Sequence, residues 1–597
     1  MTLSELNLQL KQSDTLTQHP SAAALIDIVT GETHVSTAGF PYLTDKSFRK
    51  FIQQIPHLFL DGQSILSWLD ALSQALTTSY DKLPEDVEMS IQRAIKVLQT
   101  VVFTGGITAP PDLWILRQVL SVHKKIGILD WLVEGHTIIP EDYAEQHHLD
   151  AKRLASDLHF LHVRGYLEKG DGDFWGPNHP SVLAELEAVM ALADEFNINM
   201  IPLLVNWLSQ EDTSTEHEQF LNQWLTIPVE HHSIGNWVAS FYQVELGYRL
   251  LPLVLALRVL NLTASLKQGE RLDALVPRLL PSMQHILEEA GLVQHGRVTQ
   301  LGARVFERGP GPFGIIGAYH AYLTHLEELL KGDADVGAWV QRGENVAASQ
   351  DANRKTFQAA NDHLNRFCED YGFQYEVFIE HAVGQGEAIR QRFEQDGEDS
   401  LKYFGADLEP KAIEAAIQQQ KQGVLPKNLE FICPADIGEP QKVIEYLQEK
   451  GLDNKPTVLM VGNGFHEIRQ QTNEKMIEVF RQYQEAGYVL IFTEESALND
   501  EALIHTAWNT YHAGFRYVHE LSGQGLRPAR GTGQRSERWS WRRCASLGGY
   551  LVLDEYSHRT RTIYPYPRPQ NKNPSISETL FCIPLQLALE LGIEIEE

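Results

Sequence analysis

Cysteine is scarce in this chain. Four residues, Cys368, Cys433, Cys544 and Cys582, stand among 597, and no two form a CxxC pair. A disulfide scaffold and a thiolate zinc cage are therefore excluded, and a reducing cytoplasm is the expected setting. Long hydrophobic runs are missing too. The nearest, Leu250 to Leu262, is broken by Arg258 and falls short of the roughly 20 apolar residues a membrane span needs. Positive charge is in deficit: 50 Lys+Arg face 79 Asp+Glu, a net charge of −29. Nucleic acid and anionic membranes both select Lys and Arg, so neither is an expected partner. The opening residues, MTLSELNLQLKQSD, show no basic segment followed by an apolar one, so no secretory signal is expected.

What is present divides into a helical front and an α/β rear. Segments 64–76 and 90–103 place apolar residues three and four apart, the helical period. Pro110-Pro111 is expected to begin a new segment, because proline lacks the N–H that a helix interior uses. Residues 113–175 read as three helices followed by a hairpin turning at Gly170-Asp171-Gly172, a winged-helix pattern. Residues 278–307 look like a degenerate second copy. Neither offers a basic recognition helix, so both are read as packing or dimerisation modules. Four regions are expected: 1–110 and 111–270, both mainly helical, 271–370 as lid and linker, with a polar hinge at 331–350, and 371–597 as an α/β core.

From 351 onward helices alternate with short β-rich runs. Strands are expected at 375–381, 401–406, 428–433, 456–462, 487–493, 548–555 and 578–584. Helices are expected at 351–370, 385–395, 410–422, 440–450, 467–486 and 500–514. Such alternation makes a mostly parallel sheet covered on both faces. The last two strands lack an intervening helix, which predicts an antiparallel pair at one edge.

Ligands of such sheets bind beyond the carboxyl ends of the strands. The first strand runs into Val383-Gly384-Gln385-Gly386-Glu387, where Gly384 and Gly386 allow a tight turn and close approach of a ligand. The third glycine of a dinucleotide fingerprint is absent. Asp407, at the end of the second strand, is placed to accept from ribose hydroxyls; Glu409 is the alternative, or a cap for the helix opening at Pro410. Asp436, after the third strand, is placed to accept from an adenine amino group, or to cap a helix. Beyond the fourth strand, His466 and Gln470 are four apart and are expected on one helical face. His505 and His512, two turns apart, are expected on another after the fifth. Neutral N/O ligands from these segments would leave open metal positions for a bidentate substrate.

This order of features resembles the class I S-adenosylmethionine-dependent methyltransferases. The resemblance implies an α/β fold: a seven-stranded Rossmann-like core with its last strand antiparallel, preceded by a large α-helical lid region with winged-helix-like segments. It implies that Gly384 and Gly386 approach the methionine part of S-adenosylmethionine, Asp407 or Glu409 the ribose, and Asp436 the adenine. The acidic residue usual before the first glycine is displaced, Glu380 being the nearest. GNGFHEIR (462–469), YHAGFRY (511–517), SGQGLRPA (522–529), RGPGPFGIIGAYHAYL (308–323) and RGENVAASQDANRK (342–355) look like the iron-dependent C-methyltransferase domains of apratoxin-type polyketide synthase loading modules. That narrower resemblance implies a mononuclear Fe or Mn on His466, Gln470 and His512, with malonyl-type thioesters on acyl carrier protein as acceptors. A divalent metal on a 1,3-dicarbonyl would stabilise the enolate that attacks the methyl group. Tyr319, His320 and His505 are the candidate bases.

Arg527, Arg530, Arg535, Arg538, Arg542 and Arg543 form a basic stretch that is either a landing site for an acidic carrier or a solvated loop. Two other functions fit the same features. One is a metal-independent O- or N-methyltransferase of small molecules; the other is a non-catalytic binding module. Oligomeric state is not legible.

Overall fold

The computed structural model describes residues 2–35, 41–55, 57–79, 83–192, 199–211, 214–235, 238–333, 342–397, 401–500, 503–504, 512–530, 538–562 and 575–595. Contacts divide the chain into two compact units. The first holds residues 1–339, 500–517 and 563–573; the second holds the remainder. No described helix is long and apolar enough to cross a membrane.

The first unit is helical and is built on α1 (Glu85–Lys125). This helix runs straight through Pro110 and Pro111, so the boundary expected at 110 lies inside it. Burial overrides the break: Gly105, Gly106 and every residue from Thr108 to Leu120 are buried. α2 (Ala151–Val163) is tied to it through Asp157, 2.8 Å from His123 Nε2, and α3 (Phe241–Val259) packs along it. Gly247 of α3 meets α1 so closely that a Cβ there would lie 2.5 Å from Leu113 Cβ. Glu245 of α3 is fully buried between Arg117 and Arg249, and Arg249 Nη1 donates to it over 2.7 Å. Both expected hairpins form. Leu167–Lys169 pairs with Trp175–Pro177, and Val293–Gln294 with Arg297–Val298. Each is extended by one bridge, Ile138 to Trp175 and Arg271 to Arg297.

The second unit is the α/β core. Its strands are β1 (Val377–His381), β2 (Lys402–Ala406), β3 (Leu429–Ile432), β4 (Thr457–Gly462), β5 (Val489–Glu495), β6 (Tyr550–Val552), β7 (His558–Thr562) and β8 (Ser575–Pro584). The sheet order is β6-β8-β5-β4-β1-β2-β3. The five strands from β1 to β5 are parallel, and β8 runs antiparallel between β5 and β6. Among the described residues the sheet has eight strands rather than the expected seven, because β7 also pairs with β8.

Strand side chains alternate between two hydrophobic cores. Val377 and Ile379 enter one and Phe378 the other; Leu459 and Val461 enter one, Val458 and Met460 the other. Continuous apolar runs are what a doubly covered parallel sheet requires. One face is covered by α7 (Gln441–Glu449), α8 (Asn473–Glu485) and α10 (Trp541–Leu547). The other is covered by α4 (Arg342–Tyr371), α5 (Glu387–Asp396), α6 (Pro410–Lys421) and α11 (Leu585–Glu590). Phe357, Leu364 and Phe367 of α4 lie in this core, so the segment expected to end a lid and linker at 370 belongs to the α/β unit.

Candidate functional site

The carboxyl ends of β1, β2 and β3 are bonded into one frame. β1 ends at Glu380 and His381, and the turn that follows has left-handed residues at Ala382 (φ 61°), Gly384 (φ 53°) and Gly386 (φ 83°). Gly386 opens α5, and a Cβ on it would come within 2.9 Å of Leu425. The buried Glu380 carboxylate accepts from Ile389 N at 2.9 Å and Ala388 N at 3.3 Å, fixing the start of α5. Burial pushes its pKa up to about 8 against the pull of those donors. Counted from Ala382, the acidic residue precedes the first left-handed position. An alanine in glycine's role hid it from sequence reasoning.

Asp407 reaches back to this turn. Its Oδ2 accepts from Gly384 N at 3.2 Å and its Oδ1 from Glu409 N at 2.9 Å. Glu409 is the residue before α6, and its side chain makes no cap. Asp436 Oδ1 accepts from Gly438 N at 2.7 Å. Asp407 O accepts from Ala435 N at 2.9 Å, tying the second strand end to the third.

At the ends of β4 and β5 the chemistry changes. His466 lies in a short 3₁₀ turn, Phe465–Glu467, and is buried. Its Nδ1 donates to Glu494 Oε2 at 2.7 Å, and Glu494 Oε1 accepts from Phe465 N at 2.5 Å. His466 Nε2 lies 3.7 Å from Glu467 Oε1, and the His519 ring lies 5.0 Å from the His466 ring. Donor atoms of His466, Glu467 and His519 lie within 4.8 Å of one another, and among the described residues no other such group occurs. The cluster is laced to 523–525: Gln524 Nε2 donates to Glu467, Gly525 N to His466 O at 3.2 Å, and Gln470 N to Gly523 O at 2.8 Å. Burial lowers the His466 pKa, but Glu494, then Glu467 and Glu495, outweigh it and push it up to about 9.

The expected ligand set is redistributed. His466 and Gln470 do not share a helix, because the chain turns after Glu467 and α8 begins only at Asn473, capped by Thr472. The Gln470 side chain is exposed. His512 opens α9 (His512–Leu521), belongs to the helical unit, and stacks on Phe515 at 5.9 Å. His505 lies outside the described residues. His519 was missed, although His505, His512 and His519 recur every seven residues, a helical spacing that was open to inspection. Of the candidate bases, Tyr319 is fully buried in the helical unit. His320 there packs on Trp114 at 5.8 Å in a cavity also lined by Gln118, Trp224 and Tyr248; burial lowers its pKa.

Several members of the arginine stretch have internal partners. Arg527 is fully buried and donates to Gln471 Oε1, Asn473 Oδ1 and the carbonyls of Thr472 and Trp539. Arg530 donates to Glu578, and Arg542 to Asp554. Arg543 stacks over Trp539, 4.1 Å from the ring centre. Arg535 lies outside the described residues.

No protein-family model and no curated protein matches the chain. Among solved structures, it is similar to an O-methyltransferase family 2 protein from Planctomyces limnophilus at 10% identity and a TM-score of 0.32, over 80% of this chain and 96% of that one. A putative O-methyltransferase from Nostoc punctiforme aligns at 13% identity and a TM-score of 0.36, over 57% and 98%. The DszA carbon methyltransferase aligns at 12% identity and 0.31, over 79% and 89%.

Proposed function

We propose that the α/β unit is an S-adenosylmethionine-dependent methyltransferase. The observation that carries this is the frame at the ends of β1, β2 and β3. There a left-handed turn, Asp407 and Asp436 stand in succession across adjacent parallel strands, and the last strand of the sheet is antiparallel. In this reading the turn at Gly384 to Gly386 receives the methionine part, Asp407 the ribose and Asp436 the adenine. The bound sulfonium supplies the electrophilic methyl group. Glu380 holds the turn by bonding α5 rather than by touching the ligand.

We further propose that His466, Glu467 and His519 hold a divalent iron or manganese ion. The donor set fits: two imidazoles and a carboxylate are a common ligand set for such ions. Glu494 on Nδ1 leaves His466 Nε2 turned to the other donors, the outer-shell arrangement that orients metal-bound histidines. Protonated His466 must lose its Nε2 proton before binding. The ion would stabilise an enolate oxygen of a malonyl-type thioester during C-methylation. That acceptor, its acyl carrier protein and a lid role for the helical unit rest on the sequence resemblance.

One observation favours a second reading. Once its Nε2 proton is lost, a buried histidine on a carboxylate is also a general base, so the His466–Glu494 pair could serve a metal-independent O- or N-methyltransferase. Calorimetry with S-adenosylhomocysteine tests the cofactor; absence of binding removes both enzymatic readings and leaves a non-catalytic module. Mass spectrometry of malonyl-loaded carrier protein after incubation with the protein, S-adenosylmethionine and Mn²⁺ tests the acceptor. A single added methyl is expected, and its absence with intact cofactor binding overturns the carbon acceptor.

A further inference from the structure

His381, the last residue of β1, is fully buried, although neither the methyl group nor the metal requires a histidine there. Its ring has both nitrogens engaged. Nε2 lies 3.1 Å from Ala435 O and Nδ1 2.8 Å from Tyr483 OH. A carbonyl oxygen only accepts, so Nε2 carries the proton and Nδ1 accepts from the tyrosine. The Ala435 carbonyl therefore fixes the tautomer, and Tyr483, on α8, donates to Nδ1 with its ring edge-on to the imidazole at 6.3 Å. Burial pushes the histidine pKa down to about 4, so the ring is neutral at physiological pH.

Ala435 is thereby pinned on both sides. Its N–H donates to Asp407 O and its C=O accepts from His381, and the next residue is Asp436. Asp407 in turn holds Gly384 N. A closed run of bonds thus joins the three strand ends, and the His381 side chain reaches from the first strand to the loop after the third.

We propose that His381 is a positioning residue that sets recognition of the adenine ring through Ala435 and Asp436. This deepens the cofactor reading and depends on it. An apolar side chain of similar size would fill the space but leave Ala435 O buried without a donor, and the loop carrying Asp436 would shift to find one.

The test uses the full chain and calorimetry with S-adenosylhomocysteine and S-inosylhomocysteine, whose base lacks the amino group Asp436 would accept. The native chain is expected to prefer the adenine form. In His381→Leu that preference should fall about tenfold, the scale of one lost buried hydrogen bond. His381→Gln, whose amide can still donate to Ala435 O, should recover part of it. Tyr483→Phe, which removes the donor that holds Nδ1 and the ring orientation, should give a smaller loss and serves if His381→Leu does not fold. An unchanged adenine preference in the folded variants, whatever their melting temperature, would overturn the proposal. Failure of the native chain to bind either nucleoside would overturn the cofactor reading and this proposal with it.

Discussion

The two sides of one sheet edge use their carboxylates differently, although Glu494 also accepts from a backbone N–H, that of Phe465. Beside β1, β2 and β3, Glu380, Asp407 and Asp436 each accept from backbone N–H groups, and His381 is neutral. Beside β4 and β5, Glu494 and Glu467 surround an imidazole, whose pKa they raise. The first side is a rigid cradle whose carboxyl groups are answered by peptide N–H groups. The second concentrates negative charge and is completed by a cation, either a proton on His466 or a metal ion. A cofactor with many hydrogen-bonding groups suits the first, and a divalent ion suits the second.

Substitutions separate the two sides. The largest effect is expected from His466→Ala, which removes the central donor. Stoichiometric metal should be lost by elemental analysis while S-adenosylhomocysteine still binds; loss of both would show that the sides are one site. Next, Glu494→Gln removes the carboxylate behind the imidazole and should weaken Mn²⁺ binding about 10- to 100-fold by titration. An unchanged affinity would mean that Glu494 only braces the Phe465 turn. On the cradle side, Gly386→Val places a branched side chain at φ 83° against Leu425. It should cost about 1–2 kcal/mol in urea unfolding and weaken S-adenosylhomocysteine without altering metal content.

A pH series sharpens the cradle further. Glu380 is raised to about 8 in the fold from an ordinary value near 4.5. Between these values the folded state binds the extra proton, so stability falls as pH rises from about 5 to 8. Urea midpoints without cofactor should decline across that window, and Glu380→Gln should flatten the decline. The smallest effect is expected from Gln470→Ala. Its side chain is exposed and its bond to Gly523 is made by the backbone, so metal content should stay near the native level. A large loss there would restore Gln470 as a ligand.

Much of this edge was legible in the residues. β1, β4 and β5 announce themselves because burial on both faces demands unbroken apolar runs, and Asp407 and Asp436 follow from strand ends alone. Local rules failed where packing or loop geometry decides. Pro110 and Pro111 sit within a helix because their surroundings are buried. The helix expected from 467 starts six residues later, because Thr472 caps it and a 3₁₀ turn precedes it. That delay parts His466 from Gln470 and leaves it beside Glu467. β7 was missed because its polar sequence HRTRT carries no apolar alternation; it is held by pairing with β8.

The most direct measurement is anomalous diffraction at the manganese or iron edge from crystals of the full chain. The metal assignment predicts one peak within bonding distance of His466 Nε2, the Glu467 carboxylate and His519. No peak, or a peak on His466 and Gln470 that bypasses Glu467 and His519, would contradict it.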